Sequence, residues 1–593
     1  MSYKKIVFIN PNTHYTGGKL SFSSPLNLLY LSSVLLKRGH SVSIIDADIE
    51  DLSMEDIREK LQLIQPDMVS ITMNTLQTKG ACETARTIKE VNSDIQVVVG
   101  GVHPTVLKEK ILYESPSIDI VVYGEGEITI QKLVESMQDR KFDNIRGICF
   151  RRGEQIITNP PQPLIQNLDE LPFPAWDLIT PIERYPGPFP TGARPTMIMM
   201  GSRGCPFSCT FCSSHILWSR KVRFRDPESI VDEVEFLQKK FGIREIFFQD
   251  DTFNVNKKWF VNICKEIIKR EINKKVIFKC PWRANGKLVD EDILTYARKA
   301  GFWLIFYGIE SGDERILQNI NKKVSLEEAK ASCELTKKHG LKIYTSVMIG
   351  NIGETKQTVE NTLKFSKEIN PDFFGVAIAT PYPGSQFYKI AKKRGLIEVS
   401  DFSQYTCDRP VARTKALSRE ELMNLANRVQ REMGSIMGSI MSPDFYPISL
   451  ENINSDIIKG YIQMGENDFN QLGFGWYALE YSPPYVRWTE KETSFYLQRK
   501  RENSVLFIKA LSSHPDIFEK PVIIQAFIDK KPLEKLSIDD TTWTLLSFRL
   551  PMFGNNRVSE FTLIVDRTWN PHKFYGTQDN RNLGVVVEKI WLD

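Results

Sequence analysis

The feature that most constrains the fold is an alternation, run twice, of short Val-, Ile- and Phe-rich segments with longer amphipathic ones. In the first run the apolar segments are KIVFI (5–9), SVSIID (41–46), DMVSITM (67–73), QVVVGG (96–101) and IDIVVYG (118–124), separated by helical stretches such as 26–38 and 79–92. Strands that read as nearly continuous β-branched runs are buried on both faces, which calls for helices above and below a parallel sheet. Residues 1–150 are therefore expected to form a Rossmann-like, doubly wound α/β domain. Ligands of such sheets lie beyond the carboxyl ends of the strands. Those ends carry NPN, SIT, GGVHPT and GEGE, so Asn10, Ser70, Gly100, Gly101, His103, Gly124, Glu125, Gly126 and Glu127 are candidate ligand-facing residues. Glycines there admit a close backbone approach to a ligand, and equally serve tight turns.

The segment NPPQPLIQNLDELPFPAWDL (159–178) is too rich in proline for a helix interior or a central strand, and is read as part of a linker over 151–190. The second alternation starts at PTMIMMGSRGC and runs through EIFFQDD (245–251), VIFKCPWR (276–283), WLIFYGIES (303–311), KIYTSVMIG (342–350) and DFFGVAIATPYPG (372–384). It predicts a partial TIM-type βα barrel over 191–400 with its active site at the carboxyl ends of the strands. A helical extension over 401–445 follows, whose methionines are assigned to packing rather than to a metal. From 446 to 593 the chain is Trp-rich and strand-like, as in an all-β sandwich with an accessory role. The fold class is thus multidomain α/β with a C-terminal β-sandwich.

A net charge of +4 over 593 residues forms no basic stripe for nucleic acid, and no apolar run reaches the length of a membrane span. The start, MSYKKIVFINPN, has no small-residue cleavage site, so a cytoplasmic protein is expected. Nine cysteines, an odd number, do not make a disulfide framework. Three of them, Cys205, Cys209 and Cys212, crowd into GCPFSCTFCSS (204–214). Thiolates are soft ligands suited to zinc or iron–sulfur. A structural zinc site would take a fourth ligand from a second knuckle, which is absent, and His215 is poorly spaced for the task. Three thiolates on a four-iron cluster leave one iron open for chemistry, whereas electron-carrying ferredoxins close theirs with four.

The CxxxCxxC spacing, with Phe211 before the last cysteine, is followed in order by YGIESG (307–312), MIGNIGET (348–355) and PYPGSQFY (381–388). Together these motifs resemble the radical S-adenosylmethionine enzymes. The resemblance implies a 4Fe-4S cluster on Cys205, Cys209 and Cys212 whose open iron chelates the amino and carboxylate groups of S-adenosylmethionine. One electron from a flavodoxin or ferredoxin would then cleave the sulfonium to methionine and a deoxyadenosyl radical. By position, Phe211 would lie by the adenine and Glu310 would be a polar contact. Arg283 would meet the carboxylate, and Asp250 and Asp251 the amino end, although either aspartate could instead cap the following helix. Gly350, Gly353 and Glu354 belong to GNIGET, where Ile352 replaces the proline of the family's Gly-x-Pro-Gly-Glu-Thr.

The amino-terminal half is similar to the cobalamin-binding domain found ahead of the barrel in one large subgroup, so the resemblance runs from residue 1 to about 440. Two departures stand out: the Asp-x-His-x-x-Gly motif that supplies an axial imidazole elsewhere is missing, and Asn27 replaces a common glycine. What the resemblance implies is cobalamin held without a histidine ligand. Methylation of reduced cobalamin by one S-adenosylmethionine would be followed by transfer of that methyl to a substrate radical, on an unactivated carbon or on phosphorus. The substrate would be a small molecule, including one linked to a glycan or carrier. Alternatives are radical cyclisation, ring contraction or oxidative rearrangement on the same scaffold, or a non-catalytic scaffold whose sandwich binds a glycan. The tail resembles a β-sandwich module appended to glycosyltransferases and other enzymes of bacterial surface or secondary metabolism, and its tryptophans are read chiefly as core.

Overall fold

The structure is a computed structural model that describes residues 3–13, 23–188, 190–437, 459–464, 471–472, 476–480, 486–500, 504–551, 557–571 and 582–593. In the first unit, β1 (Lys5–Asn10), β2 (Ser41–Asp46), β3 (Met68–Thr72), β4 (Gln96–Gly100) and β5 (Ile120–Val122) are parallel, and β6 (Ile148–Arg152) and β7 (Gln155–Thr158) extend the sheet antiparallel, in the order β2-β1-β3-β4-β5-β6-β7. Val7, Ile9, Val69, Val97 and Val99 pack on one face of this sheet, and Ile6, Phe8, Met68 and Val98 on the other, which is why the strands read as unbroken apolar runs. The closing hairpin was not foreseen. It makes the sheet mixed and carries it past residue 150, because ICFRR and QIIT are short and half polar and give only a weak strand signal.

The segment after β7 does not behave as a free tether. Trp176, Ile179, Ile182 and Tyr185 are buried. The Trp176 indole N–H donates to Glu233 Oε1 at 3.2 Å, and the Tyr185 hydroxyl donates to Asp46 Oδ2 at 3.0 Å. The proline-rich segment holds only three short 3-10 turns, at Leu168–Glu170, Trp176–Ile179 and Ile182–Arg184, and the apolar residues between the prolines clamp the two α/β units together.

The barrel unit has β8 (Thr196–Met199), the short antiparallel pair β9 (Ser202–Arg203) and β10 (Arg223–Phe224), then β11 (Glu245–Phe248), β12 (Ile277–Trp282), β13 (Phe302–Glu310), β14 (Lys342–Ile349) and β15 (Phe373–Ile378). Six of these form one parallel sheet in the order β8-β11-β12-β13-β14-β15, each strand beside its predecessor, as βα units produce. Among the described residues β8 and β15 do not pair, so the barrel is partial. The edge of β15 is met by the helix Arg419–Met437, whose Gln430 Oε1 accepts from Val376 N–H at 3.1 Å. Met433 of that helix is buried in the barrel core, the packing role expected of it. Phe248, Phe278 and Phe302 face the helices. On the opposite, inner face Phe247, Phe306 and Tyr344 form a half-buried row with centroid separations of 5.2 and 4.9 Å. Gly375 makes room for this row: a Cβ there would lie 1.9 Å from the Tyr344 hydroxyl.

Beyond the barrel, a five-strand path joined by Tyr461–Gln463 and a four-stranded sheet, with antiparallel pairing, enclose Trp476, Phe495, Phe561, Leu506 and Ile590. Trp488 and Trp569 make a smaller cluster, and Trp591 is half-buried. No helix among the described residues is long and apolar enough to cross a membrane.

Candidate functional site

The three clustered cysteines lie in the loop after β9, and the loop is held from several directions. Asp250, beyond the end of β11, accepts from Gly201 N–H at 3.0 Å and from the Ser202 hydroxyl at 2.5 Å, fixing the turn that leads in. Gly204 has φ +105°, and a Cβ there would meet the Lys221 carbonyl oxygen at 2.6 Å, so this position requires glycine. Within the loop Thr210 N–H donates to Ile320 O at 2.9 Å, and Thr210 O accepts from Phe387 N–H at 2.8 Å. The Asn321 amide donates to Ser208 O and Oγ at 3.0 and 2.7 Å. Segments distant in sequence thus present one preformed thiol loop.

Burial pushes the thiols of Cys205 and Cys212 up, that of Cys212 to about 11. Neither would be a thiolate by itself, but a coordinated metal deprotonates its thiol outright. Among the described residues no three His, Cys, Asp or Glu side chains converge on a single ion. A four-iron cluster asks for something else, one thiolate on each of three irons.

Arg283 is a buried cation beside this loop with donors left unpartnered. Its NH1 stands 3.8 Å from Cys209 Sγ, its guanidinium lies 3.7 Å from the Phe207 ring centroid, and its Nε and NH2 are buried without a partner. Asn254 fixes its backbone, accepting from Arg283 N–H at 3.0 Å. Two orphaned donors of a planar cation beside the thiol loop match the fork geometry of a carboxylate, the group that S-adenosylmethionine offers.

The other expected cofactor contacts are placed differently. Asp250 is spent on the Gly201–Ser202 turn, and its burial raises its pKa to about 7. Asp251 accepts from the Ser214 hydroxyl. Neither caps the following helix, a task that falls to Asn256. Glu310, at φ +69°, folds back over Gly308 and pairs with Lys322 Nζ at 2.7 Å, so its charge is already matched. Glu354 accepts from the Thr358 hydroxyl at 2.5 Å and from Gly350 N–H at 3.4 Å, holding the GNIGET turn in which Gly350 and Gly353 have φ of +104° and +92°. Phe211, Met348 and Ile352 all pack against the cluster of Ala379, Phe387, Ala391 and Leu396, so Ile352, where the family has proline, supplies part of an apolar wall beside the loop.

Along the rim of the first sheet, Asn10 is tied to Asp46 Oδ1 at 2.8 Å and to the Gln77 amide at 2.7 Å, which takes it out of ligand contact. Ser70 lies inside β3 opposite Phe8 and Val98 rather than in the loop after it. Glu125 and Glu127 are not ligand-facing either. Glu125 accepts from Arg203 at 3.0 Å and from Arg223 at 2.9 Å, and Glu127 accepts from Arg203 at 2.6 Å, all four side chains being buried. The rim stays open at β4 and β5. A Cβ at Gly124 would meet nothing within 4 Å, and Gly100 would meet only Val122 at 3.7 Å. Gly101 has φ +124° and would strike Met73 O, so it makes the turn. His103 is buried, with Nδ1 3.2 Å from Thr75 Oγ1 and Nε2 without a partner. This rim suits a broad ring system resting on backbone and glycine, and among the described residues no side chain is placed as an axial ligand by the usual motif.

Sequence reasoning missed Arg203, Arg223, Lys322 and Asn254. A signal existed for the first: SRGC places a cation next to the thiol loop, and GEGE offers two acids at the rim of a different domain.

Comparison with known proteins gives two domain matches: a radical SAM superfamily domain over residues 199–366 and a B12 binding domain over residues 20–134. An uncharacterized methyltransferase of Pyrococcus horikoshii is 34% identical over 72% of this chain and 92% of its own length. The chain belongs to the cobalamin-binding radical S-adenosylmethionine enzymes. The anaerobic magnesium-protoporphyrin IX monomethyl ester cyclase of Rubrivivax gelatinosus is 33% identical over 79% of this chain and 84% of that protein. Among solved structures, the cobalamin-dependent radical enzyme OxsB with aqua-cobalamin and S-adenosylmethionine aligns with a TM-score of 0.61 at 20% identity, covering 74% of this chain and 67% of that one. The methyltransferase TsrM of Kitasatospora setae aligns with a TM-score of 0.55 at 18% identity, covering 67% and 77%. These two share the fold. This radical S-adenosylmethionine enzyme therefore uses a 4Fe-4S cluster, S-adenosylmethionine and cobalamin, and the Arg283 and Gly124 environments fit those groups.

Proposed function

We propose that this enzyme transfers a methyl group to an unactivated carbon of a small-molecule substrate. The observation that carries the reading is the union of two sites. Arg203, two residues before Cys205, is bound to Glu125 and Glu127 on the rim of the first sheet, so a buried ion-pair network ties the rim proposed for the corrin to the thiol loop. When bound, the cluster supplies one electron for cleavage of S-adenosylmethionine and the corrin carries the methyl group. The chain's own residues do the rest. Cys205, Cys209 and Cys212 would hold three irons, and Arg283 would clamp the carboxylate with its two free donors. Phe211, Ile352 and Met348 would exclude water on one side of the loop. Phe247, Phe306 and Tyr344 line the inner face of the barrel with aromatic surface, which supports a substrate that buries an apolar part there.

Relatives of about equal identity include a cyclase, so radical cyclisation is the second reading. Anaerobic turnover of a metabolite extract with S-adenosylmethionine deuterated in its methyl group separates them. Methyl transfer puts the label into a product; an unlabelled product with a new ring establishes cyclisation instead.

A further inference from the structure

The whole chain is near charge balance, at +4, but the surface around the thiol loop is not. Arg220 and Lys221 follow the short helix Ser214–Trp218, and the Lys221 backbone abuts Gly204 beside Cys205. Lys323 stands on another side, two residues after Asn321, which holds Ser208 of the loop. Lys389, Lys392 and Lys393 lie on the helix Gln386–Lys393, with Arg394 at its end, and this helix is bonded to the loop through Phe387 N–H and Thr210 O. All these cations are exposed, and among the described residues none is paired with a carboxylate. The nearby acids are engaged elsewhere: Asp226 caps the helix Pro227–Phe241, Asp251 accepts from Ser214, Glu398 pairs with Arg413 at 3.1 Å, and Asp401 caps the turn at Phe402–Gln404.

We propose that this basic collar is the docking surface for an acidic one-electron donor protein of the flavodoxin or ferredoxin kind. The proposal rests on the cluster assignment to Cys205, Cys209 and Cys212. In the step it serves, the donor loses one electron and the oxidised cluster gains it, with no bond made or broken at the interface. Exposed charges of one sign around an entry point steer an oppositely charged partner and raise its association rate, an effect that salt screens. The cations come from three separate elements that are each tied to the thiol loop, instead of from one face of one element, which favours an acidic partner docking at this end of the barrel.

The test uses the full, reconstituted chain and purified bacterial flavodoxin. Cluster reduction is followed by its loss of absorbance with flavodoxin hydroquinone, and binding of oxidised flavodoxin by titration calorimetry. Replacing Lys389, Lys392, Lys393 and Arg394 together by Glu should slow reduction by flavodoxin roughly tenfold or more at low salt and weaken binding in parallel. Reduction by titanium(III) citrate should stay at the wild-type rate. The milder pair Arg220→Gln and Lys221→Gln should show the same trend, and wild-type rates with flavodoxin should fall as salt rises. Unchanged flavodoxin rates and binding in both variants overturn the proposal, as does a loss confined to binding of anionic vesicles or of an RNA oligonucleotide. A wild-type chain that titanium(III) citrate cannot reduce overturns the cluster assignment itself.

Discussion

Arg203 NH2 donates to Glu127 Oε1 at 2.6 Å, joining the residue two positions ahead of Cys205 to the rim of the B12-binding domain's sheet. Both side chains are buried, and Glu125 shares the same guanidinium. Removing one partner of a buried pair strands the other's charge, at about 3–5 kcal/mol. Arg203→Ala should therefore lower the urea midpoint of the α/β units by a corresponding amount and reduce cobalamin retention on gel filtration. A variant that unfolds and retains cobalamin like the wild type would show that the pair does not join the two sites.

Arg283 gives the second expectation. Arg283→Ala removes the clamp proposed for the carboxylate, and the equilibrium dissociation constant for S-adenosylmethionine should rise roughly ten- to a hundredfold. Arg283→Lys should recover little of this, because an ammonium lacks the planar fork. Iron content should be unchanged in both, because the proposed cluster ligands Cys205, Cys209 and Cys212 are left in place. Wild-type affinity in Arg283→Lys would assign the orphaned donors to something other than a carboxylate.

Both α/β units were legible because their strands are short apolar runs separated by helix-length stretches, and the thiol loop because three cysteines crowd into eight positions ahead of motifs that resemble a known family. The rest depended on contacts distant in sequence. Glu125 and Glu127 look like rim ligands until Arg203 and Arg223, about eighty to a hundred positions on, are seen to neutralise them. Asp250 looks like a ligand or a cap until Gly201 and Ser202 take both its oxygens. Ser70 was misplaced by a shorter error: the strand runs on to Thr72 before its loop begins. The hairpin β6–β7 escaped notice because half its residues are polar and no βα alternation frames it.

Glu354 makes stability depend on pH. Burial lifts its carboxyl to about 7 from an ordinary 4.5, so the folded state prefers the proton. The contribution is intact below pH 4.5 and is lost as pH rises through 7, amounting to about 3 kcal/mol at 1.36 kcal/mol per pKa unit. Thermal unfolding of the wild type should shift downward between pH 5 and 8, and Glu354→Gln, which keeps the side chain neutral, should flatten that slope. Parallel slopes would mean that Glu354 is already ionised in the fold.

His103 tests how cobalt is held. It is fully buried on the short helix after Gly101, with Nδ1 on Thr75 and its ring edge-on to Phe402 at 5.0 Å. Burial lowers its pKa to about 4, so the imidazole is neutral at physiological pH and chemically able to bind a metal. What prevents it is packing: to reach a corrin on the Gly100–Gly124 rim the ring would have to leave Phe402 and Thr75 together. The cobalt(II) electron paramagnetic spectrum of the reconstituted protein should therefore show no nitrogen splitting that depends on His103. His103→Phe, which keeps the aromatic contact, should leave that spectrum and the cobalamin stoichiometry unchanged. Nitrogen splitting in the wild type that disappears in His103→Phe would place this residue on the metal and require the helix Val102–Leu107 to move when cobalamin binds.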